Sequence, residues 1–128
     1  MPSGVTIMIV DDSRIMRNTV KGVFSGVDTT CYFIEAKDGE EALSLLDVQK
    51  VDLVLLDWNM PRLSGLDFLK QVRAMDQYKS LPIIMVTSEA AKFNVIEALK
   101  HGATDYITRP IKLDLFKSKL AKLRLFRM

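Results

Sequence analysis

Short unbroken apolar runs recur along this chain, each followed by a stretch with helical spacing. Thr6–Val10, Leu53–Leu56 and Ile83–Val86 are continuous runs, and Tyr32–Ile34 and Tyr106–Ile107 are weaker β-rich blocks. A strand with one face in water alternates apolar and polar residues. Unbroken runs of this length therefore predict strands buried on both faces, as in a parallel sheet. Between them, Met16, Val20 and Val23 fall at i, i+4, i+7 behind Ser13, a predicted N-cap. Ala42, Leu45 and Leu46 share a face behind Asp38-Gly39, and Leu66, Leu69 and Val72 share one behind Ser64-Gly65. Val95, Ile96 and Leu99 precede His101-Gly102, a helix stop. Leu113, Phe116, Leu120 and Leu123 line a last helix whose other face carries basic residues.

A strand-then-helix unit thus occurs five times in 128 residues. That alternation predicts an α/β fold, a single doubly wound (βα)5 domain with helices on both faces of a parallel sheet. One domain over 1–128 is expected, since nothing in the chain reads as a linker or low-complexity segment. With 48% apolar and 27% charged residues the composition is that of a globular chain. No apolar run approaches the roughly 18 residues of a membrane helix, and no basic flank precedes the N-terminal apolar stretch as in a secretory signal. Cys31 is the one cysteine, which excludes an internal disulfide framework and a cysteine zinc cluster. A soluble, cytoplasmic protein is expected.

Charge is unevenly spread. Residues 109–128 carry seven basic residues and one acid, a net +6, while residues 1–108 carry a net −4. A basic last helix of this kind reads as a solvated face or a protein-docking rim. It lacks the aromatic platform that nucleic-acid binding uses, so neither nucleic acid nor membrane insertion is expected.

In a doubly wound sheet, ligands sit beyond the carboxyl ends of the strands. Asp11 and Asp12 follow the first run, and Asp57-Trp58-Asn59 ends the third. Thr87 and Ser88 follow the fourth, and Thr108-Arg109-Pro110 the fifth. Three carboxylates converging from two strand ends repel one another unless a cation or protons compensate them. Oxygen-only ligands suit a hard cation such as Mg²⁺, and the lack of nearby His or Cys argues against zinc. An acid ending an apolar strand is costly without a partner or a task. A carboxylate there can attack phosphorus and form an aspartyl phosphate. Thr87 can donate its hydroxyl to a phosphoryl oxygen, and Arg109 can pair with another.

These residues carry a resemblance. Val10-Asp11-Asp12-Ser13, Leu56-Asp57-Trp58-Asn59-Met60-Pro61, Met85-Val86-Thr87-Ser88-Glu89 and the Tyr106–Pro110 segment, in this order and spacing, resemble the receiver domains of two-component response regulators. The likeness covers essentially the whole chain and is nearest to the small chemotaxis regulators of the CheY type. It implies a single receiver domain without an output domain, with a five-stranded sheet of order 2-1-3-4-5. It implies Asp57 as phosphoacceptor, fed by a histidine kinase, a phosphotransfer protein or a small phosphodonor. Mg²⁺ would be held by Asp12, Asp57 and the backbone carbonyl of Asn59, with Asp11 acting mainly through water. Thr87 and Tyr106 would be the switch residues, coupling the site to a face made by the fourth helix, fifth strand and fifth helix. Asn59 and Glu89 would tune dephosphorylation. A flagellar motor switch protein is the implied downstream partner.

One position departs from the family pattern: the lysine that precedes the strand-five proline is Arg109 here. Arginine keeps the charge but is longer, planar and bidentate. Other readings stay open on the residues alone. One is a phosphorylation-independent interaction module, another a phosphate-sink or relay receiver. A third is a small phosphohydrolase with an aspartyl-phosphate intermediate. The last is disfavoured by Asn59, which stands where such enzymes carry a second acid for the leaving group. His101 is read as a helix-end residue rather than a phosphodonor.

Overall fold

The computed structural model describes residues 4–60, 62–88 and 92–126. Five strands, β1 (Val5–Val10), β2 (Cys31–Ala36), β3 (Leu53–Asp57), β4 (Ile83–Ser88) and β5 (Asp105–Arg109), alternate with five helices. These are α1 (Arg14–Gly22), α2 (Gly39–Val48), α3 (Gly65–Arg73), α4 (Lys92–Lys100) and α5 (Leu113–Lys122). All strand pairs are parallel, in the order β2-β1-β3-β4-β5. Both the doubly wound architecture and its strand order match the expectation.

The apolar runs are continuous because the sheet divides two cores. Met8, Val10, Val54, Leu56, Ile83 and Met85 point to one side, where they meet Ala42 and Leu46 of α2, Phe68, Leu69 and Val72 of α3, and Ala98 of α4. Ile7, Ile9, Leu53, Leu55, Ile84 and Val86 point to the other, against Val20 of α1 and Phe116 and Leu120 of α5. Phe24 anchors this second core with edge contacts to Phe33 and Phe116, each at 5.7 Å between ring centroids. Each fully buried aromatic or aliphatic side chain of this kind contributes about 1.5–3 kcal/mol relative to exposure.

Three helices start where the sequence places caps. Ser13 Oγ accepts from the Met16 amide at 3.2 Å, Asp38 Oδ1 from the Glu41 amide at 2.8 Å, and Ser64 Oγ from the Asp67 amide at 3.2 Å. Each satisfies a donor that the first helical turn cannot pair internally.

Several expectations need correction. β4 runs on through Thr87 and Ser88, and β5 through Thr108 and Arg109, so these polar residues are strand residues rather than the loops that follow. Their backbones stay in register with the neighbouring strand, Thr87 against Thr108 and Ser88 against Arg109. Leu113, Ile96 and Leu99, expected on inward apolar faces, are exposed. In α4 the inward positions are Val95 and Ala98, so small Ala98 takes the core place expected for Leu99. Among the described residues no helix is long and apolar enough to cross a membrane.

Candidate functional site

Strand register builds the site. Val10 pairs with Leu56, so the next residue of each chain segment, Asp11 and Asp57, emerges side by side at the carboxyl edge. Asp57 is the last residue of β3 and is only 4% exposed; Asp11 is equally buried and Asp12 is open to solvent. One oxygen from each of the three carboxylates lies within 4.8 Å of the others. The convergence predicted for these acids is therefore present.

The surrounding groups fix this cluster. Asp11 Oδ1 accepts the Ser13 amide at 2.8 Å, which ties it to the start of α1. Arg17 donates to the Asp11 carbonyl at 2.7 Å and to Glu35 at 2.8 Å, and Lys21 takes the other Glu35 oxygen at 2.9 Å. This chain of ion pairs stitches the end of β1 to α1 and β2. Arg109 reaches across from β5 and places Nη2 3.3 Å from Asp57 Oδ1. It is a half-buried partner of the central acid, not a free cation. Thr87 is buried one strand away from Asp57, and Asn59 is exposed two residues beyond it. Trp58 is half-buried against the α2–α4 core. Tyr106 lies further back on β5, opposite Met85 and half-buried. Glu89 lies outside the described residues.

Burial pushes the Asp57 carboxyl up to about 6, with the Asp11 charge adding to it; Arg109 and the Asn59 amide pull the other way. Asp11 is also raised, by burial first, against the lowering effect of its bond from Ser13. Two buried acids held this close favour a compensating positive charge beyond what Arg109 supplies.

The family model described as the response regulator receiver domain matches residues 7–121. This chain belongs to that family. The receiver is 43% identical over 115 residues to chemotaxis protein CheY1 of Helicobacter pylori strain J99, covering 89% of this chain and 92% of that one. It is 38% identical over 117 residues to chemotaxis protein CheY of Pseudomonas aeruginosa, covering 91% and 94%. Among solved structures, chemotaxis protein CheY4 of Vibrio cholerae superposes with a TM-score of 0.81 at 31% identity, covering 94% of the receiver and 98% of that chain.

Two features of the receiver's site were not foreseen. Gly65 opens α3 directly on the end of β3, donating its amide to the Trp58 carbonyl at 3.0 Å. A Cβ at Gly65 would lie 2.3 Å from the Asp57 carbonyl oxygen. The Ser64-Gly65 pair announced a helix start, but nothing in it announces that the helix presses on the end of β3. Lys119, counted with the solvated basic face, is instead only 13% exposed along its side chain and is engaged at β5.

Proposed function

We propose that this receiver is a phosphorylation-dependent switch in which Asp57 accepts a phosphoryl group in a Mg²⁺-dependent transfer. The observation that carries the reading is the Asp11–Asp12–Asp57 cluster, with its oxygens within 4.8 Å and Arg109 against its central member. The donor set is all oxygen, with Asp11 and Asp57 buried and Asp12 open to solvent, which fits a hard divalent cation. Asp12, Asp57 and the Asn59 carbonyl would hold Mg²⁺, with Asp11 acting mainly through water. Bound there, the ion offsets negative charge between carboxylate and phosphoryl group.

The chain's own residues do the rest. A carboxylate oxygen of Asp57 attacks phosphorus, forming a new O–P bond. In a phosphohistidine donor the P–N bond breaks and the imidazole nitrogen leaves with the electron pair; in acetyl phosphate the P–O bond breaks and acetate leaves. The raised proton affinity of Asp57 matters little above pH 7, where the carboxylate predominates. Arg109 receives one phosphoryl oxygen and the Thr87 hydroxyl donates to another. Asn59 and Glu89 govern access of the water that later hydrolyses the acyl phosphate. Turnover of external esters is not expected, since Asn59 supplies no acid for a leaving group.

The output is a change in affinity for a protein partner at the α4–β5–α5 face. An apolar cleft there, lined by Val95, Ile96, Leu99, Tyr106 and Leu115, supports that location. The chemotaxis names of the relatives favour a flagellar motor switch protein as the partner and a chemotaxis histidine kinase as the source.

The test is incubation with acetyl phosphate, with and without Mg²⁺, followed by intact mass and by fluorescence of Trp58, the single tryptophan. The expected result is one phosphoryl group added only with Mg²⁺, with a change in emission. Absence of an adduct from both acetyl phosphate and a phosphorylated histidine kinase would leave a phosphorylation-independent interaction module as the better reading.

Arg109→Lys addresses the departure from the family pattern. A guanidinium donates through a planar fork of fixed direction, whereas an ammonium offers a point charge. The lysine variant is expected to hold its phosphoryl group for a lifetime shorter by a factor of about two to ten. Equal lifetimes and equal partner affinities would show that the replacement is neutral.

A further inference from the structure

We propose that Lys119 is a positioning residue that latches Tyr106 from across the free edge of the sheet. β5 is an edge strand, so its outer backbone groups have no neighbouring strand to pair with. Tyr106 projects toward the core shared by α2, α3 and α4, whereas α5 packs in the other core. The Lys119 side chain, rising from α5, bridges the two layers at this seam.

Its ammonium makes three contacts, all to the same short stretch. It sits 3.9 Å from the centroid of the Tyr106 ring. It donates to the Tyr106 carbonyl oxygen, and to Asp105 Oδ1 at 3.1 Å. Asp105 Oδ1 in turn accepts the Tyr106 amide at 2.8 Å. Amide, carbonyl and ring of one residue are thus held through one cation and its carboxylate. A largely desolvated ammonium over a ring is the setting in which a cation–π contact is strongest. Among the described residues of α5, Lys119 is the cation placed on Tyr106; Lys122 is exposed and Lys117 is partly exposed.

The latch explains how the ring can be held in one place beside an open apolar cleft. A turn of the Tyr106 ring away from this position breaks the ring contact while the carbonyl bond can persist, so Lys119 favours the ring position seen here. The proposal rests on the reading of Tyr106 as the group that couples the phosphoryl site to the α4–β5–α5 face.

The experiment uses the full chain with fluorotyrosine in place of Tyr32, Tyr78 and Tyr106, the Tyr106 fluorine resonance being assigned with Tyr106→Phe. Lys119→Met is expected to move the resonance of the unphosphorylated protein toward its position in the phosphorylated wild type. The released fraction should rise about fivefold, while Lys119→Arg, which keeps the cation over the ring, should stay near wild type. A Lys119→Met resonance that coincides with unphosphorylated wild type, with only urea stability reduced, would mean that Lys119 is a packing residue and overturn the latch. Equal displacement in both variants would overturn it too, since the cation would not be the holding group. If acetyl phosphate adds its phosphoryl group but the wild-type Tyr106 resonance does not move, the coupling role of Tyr106 fails. In that case the displacement between wild type and Lys119→Met still decides whether the latch exists.

Discussion

Asp57→Asn is expected to give a protein that takes up no phosphoryl group and that is more stable than the wild type at neutral pH. The second half follows from the proton affinity of Asp57, about 6 in the fold against 3.8 as the ordinary value. A group whose affinity is raised by folding favours the native state when protonated, and that benefit is lost as pH rises through the folded value. Below about pH 3 both states carry the proton and Asp57 costs nothing. Above pH 7 the folded protein bears a buried charge that the unfolded chain would hold in water, at a cost of about 3 kcal/mol. Asparagine removes that cost, and the loss of a partner for half-exposed Arg109 returns a small part of it. In chelator-treated protein, the expected gain is about 2–3 kcal/mol above pH 7, shrinking to near zero below about pH 3. Urea midpoints measured across this range check it. Coincident wild-type and variant midpoints at pH 7.5 would mean that Asp57 is not an electrostatically strained group.

Gly65→Ala is expected to be among the most damaging single-methyl insertions in the chain. The new Cβ would lie 2.3 Å from the Asp57 carbonyl oxygen, 2.9 Å from Trp58 Cα and 3.1 Å from the Asp57 carbonyl carbon. All three are backbone atoms at the end of β3 and its exit, so no rotamer change relieves the overlap. α3 has to lift, and it carries Phe68, Leu69 and Val72, each fully buried. Overpacking of this kind costs about 1–3 kcal/mol, and displacing three core anchors puts the value at about 3 kcal/mol or more. Because the obstruction is the backbone of Asp57 itself, phosphoryl uptake from acetyl phosphate should also slow in whatever fraction remains folded. Gly22→Ala is the control: its Cβ would meet nothing within 4 Å, so the same chemical change there should be neutral or slightly stabilising. A Gly65→Ala protein with wild-type midpoint and uptake would show that α3 does not press on the site.

The sheet and the acid cluster were legible because both depend on period and order. Unbroken apolar runs mark two-sided burial wherever they occur, and strand ends in a parallel sheet all reach one edge. Asp11 and Asp57 meet because Val10 and Leu56 are register partners, a consequence of adjacent strands ending together. What stayed hidden depends on neighbours that a helical period does not name. Lys119 has the same spacing whether it faces water or folds over an edge strand. Ile96 and Leu99 sit on the same helix as Val95 and Ala98, and the one-turn pattern does not say which pair turns inward. The extension of β4 through Thr87 and of β5 through Arg109 is hidden for a related reason. Their polarity reads as loop, yet their backbones still pair with the neighbouring strand.

The division of the interior into two cores has a mechanical consequence. α4 belongs to one side of the sheet and α5 to the other, and between them runs β5, the outermost strand. The surface they form together therefore follows a seam, like the spine where two covers of a book meet. Material at a seam can be reshaped without opening either cover. On the proposed reading, a ring turning at Tyr106 would alter the outline of that surface, while Phe68 and Phe116 lie fully buried in the two cores behind it. A domain built this way can change its outer surface at the seam without unseating either core, so such a change need not draw on the stability of the fold.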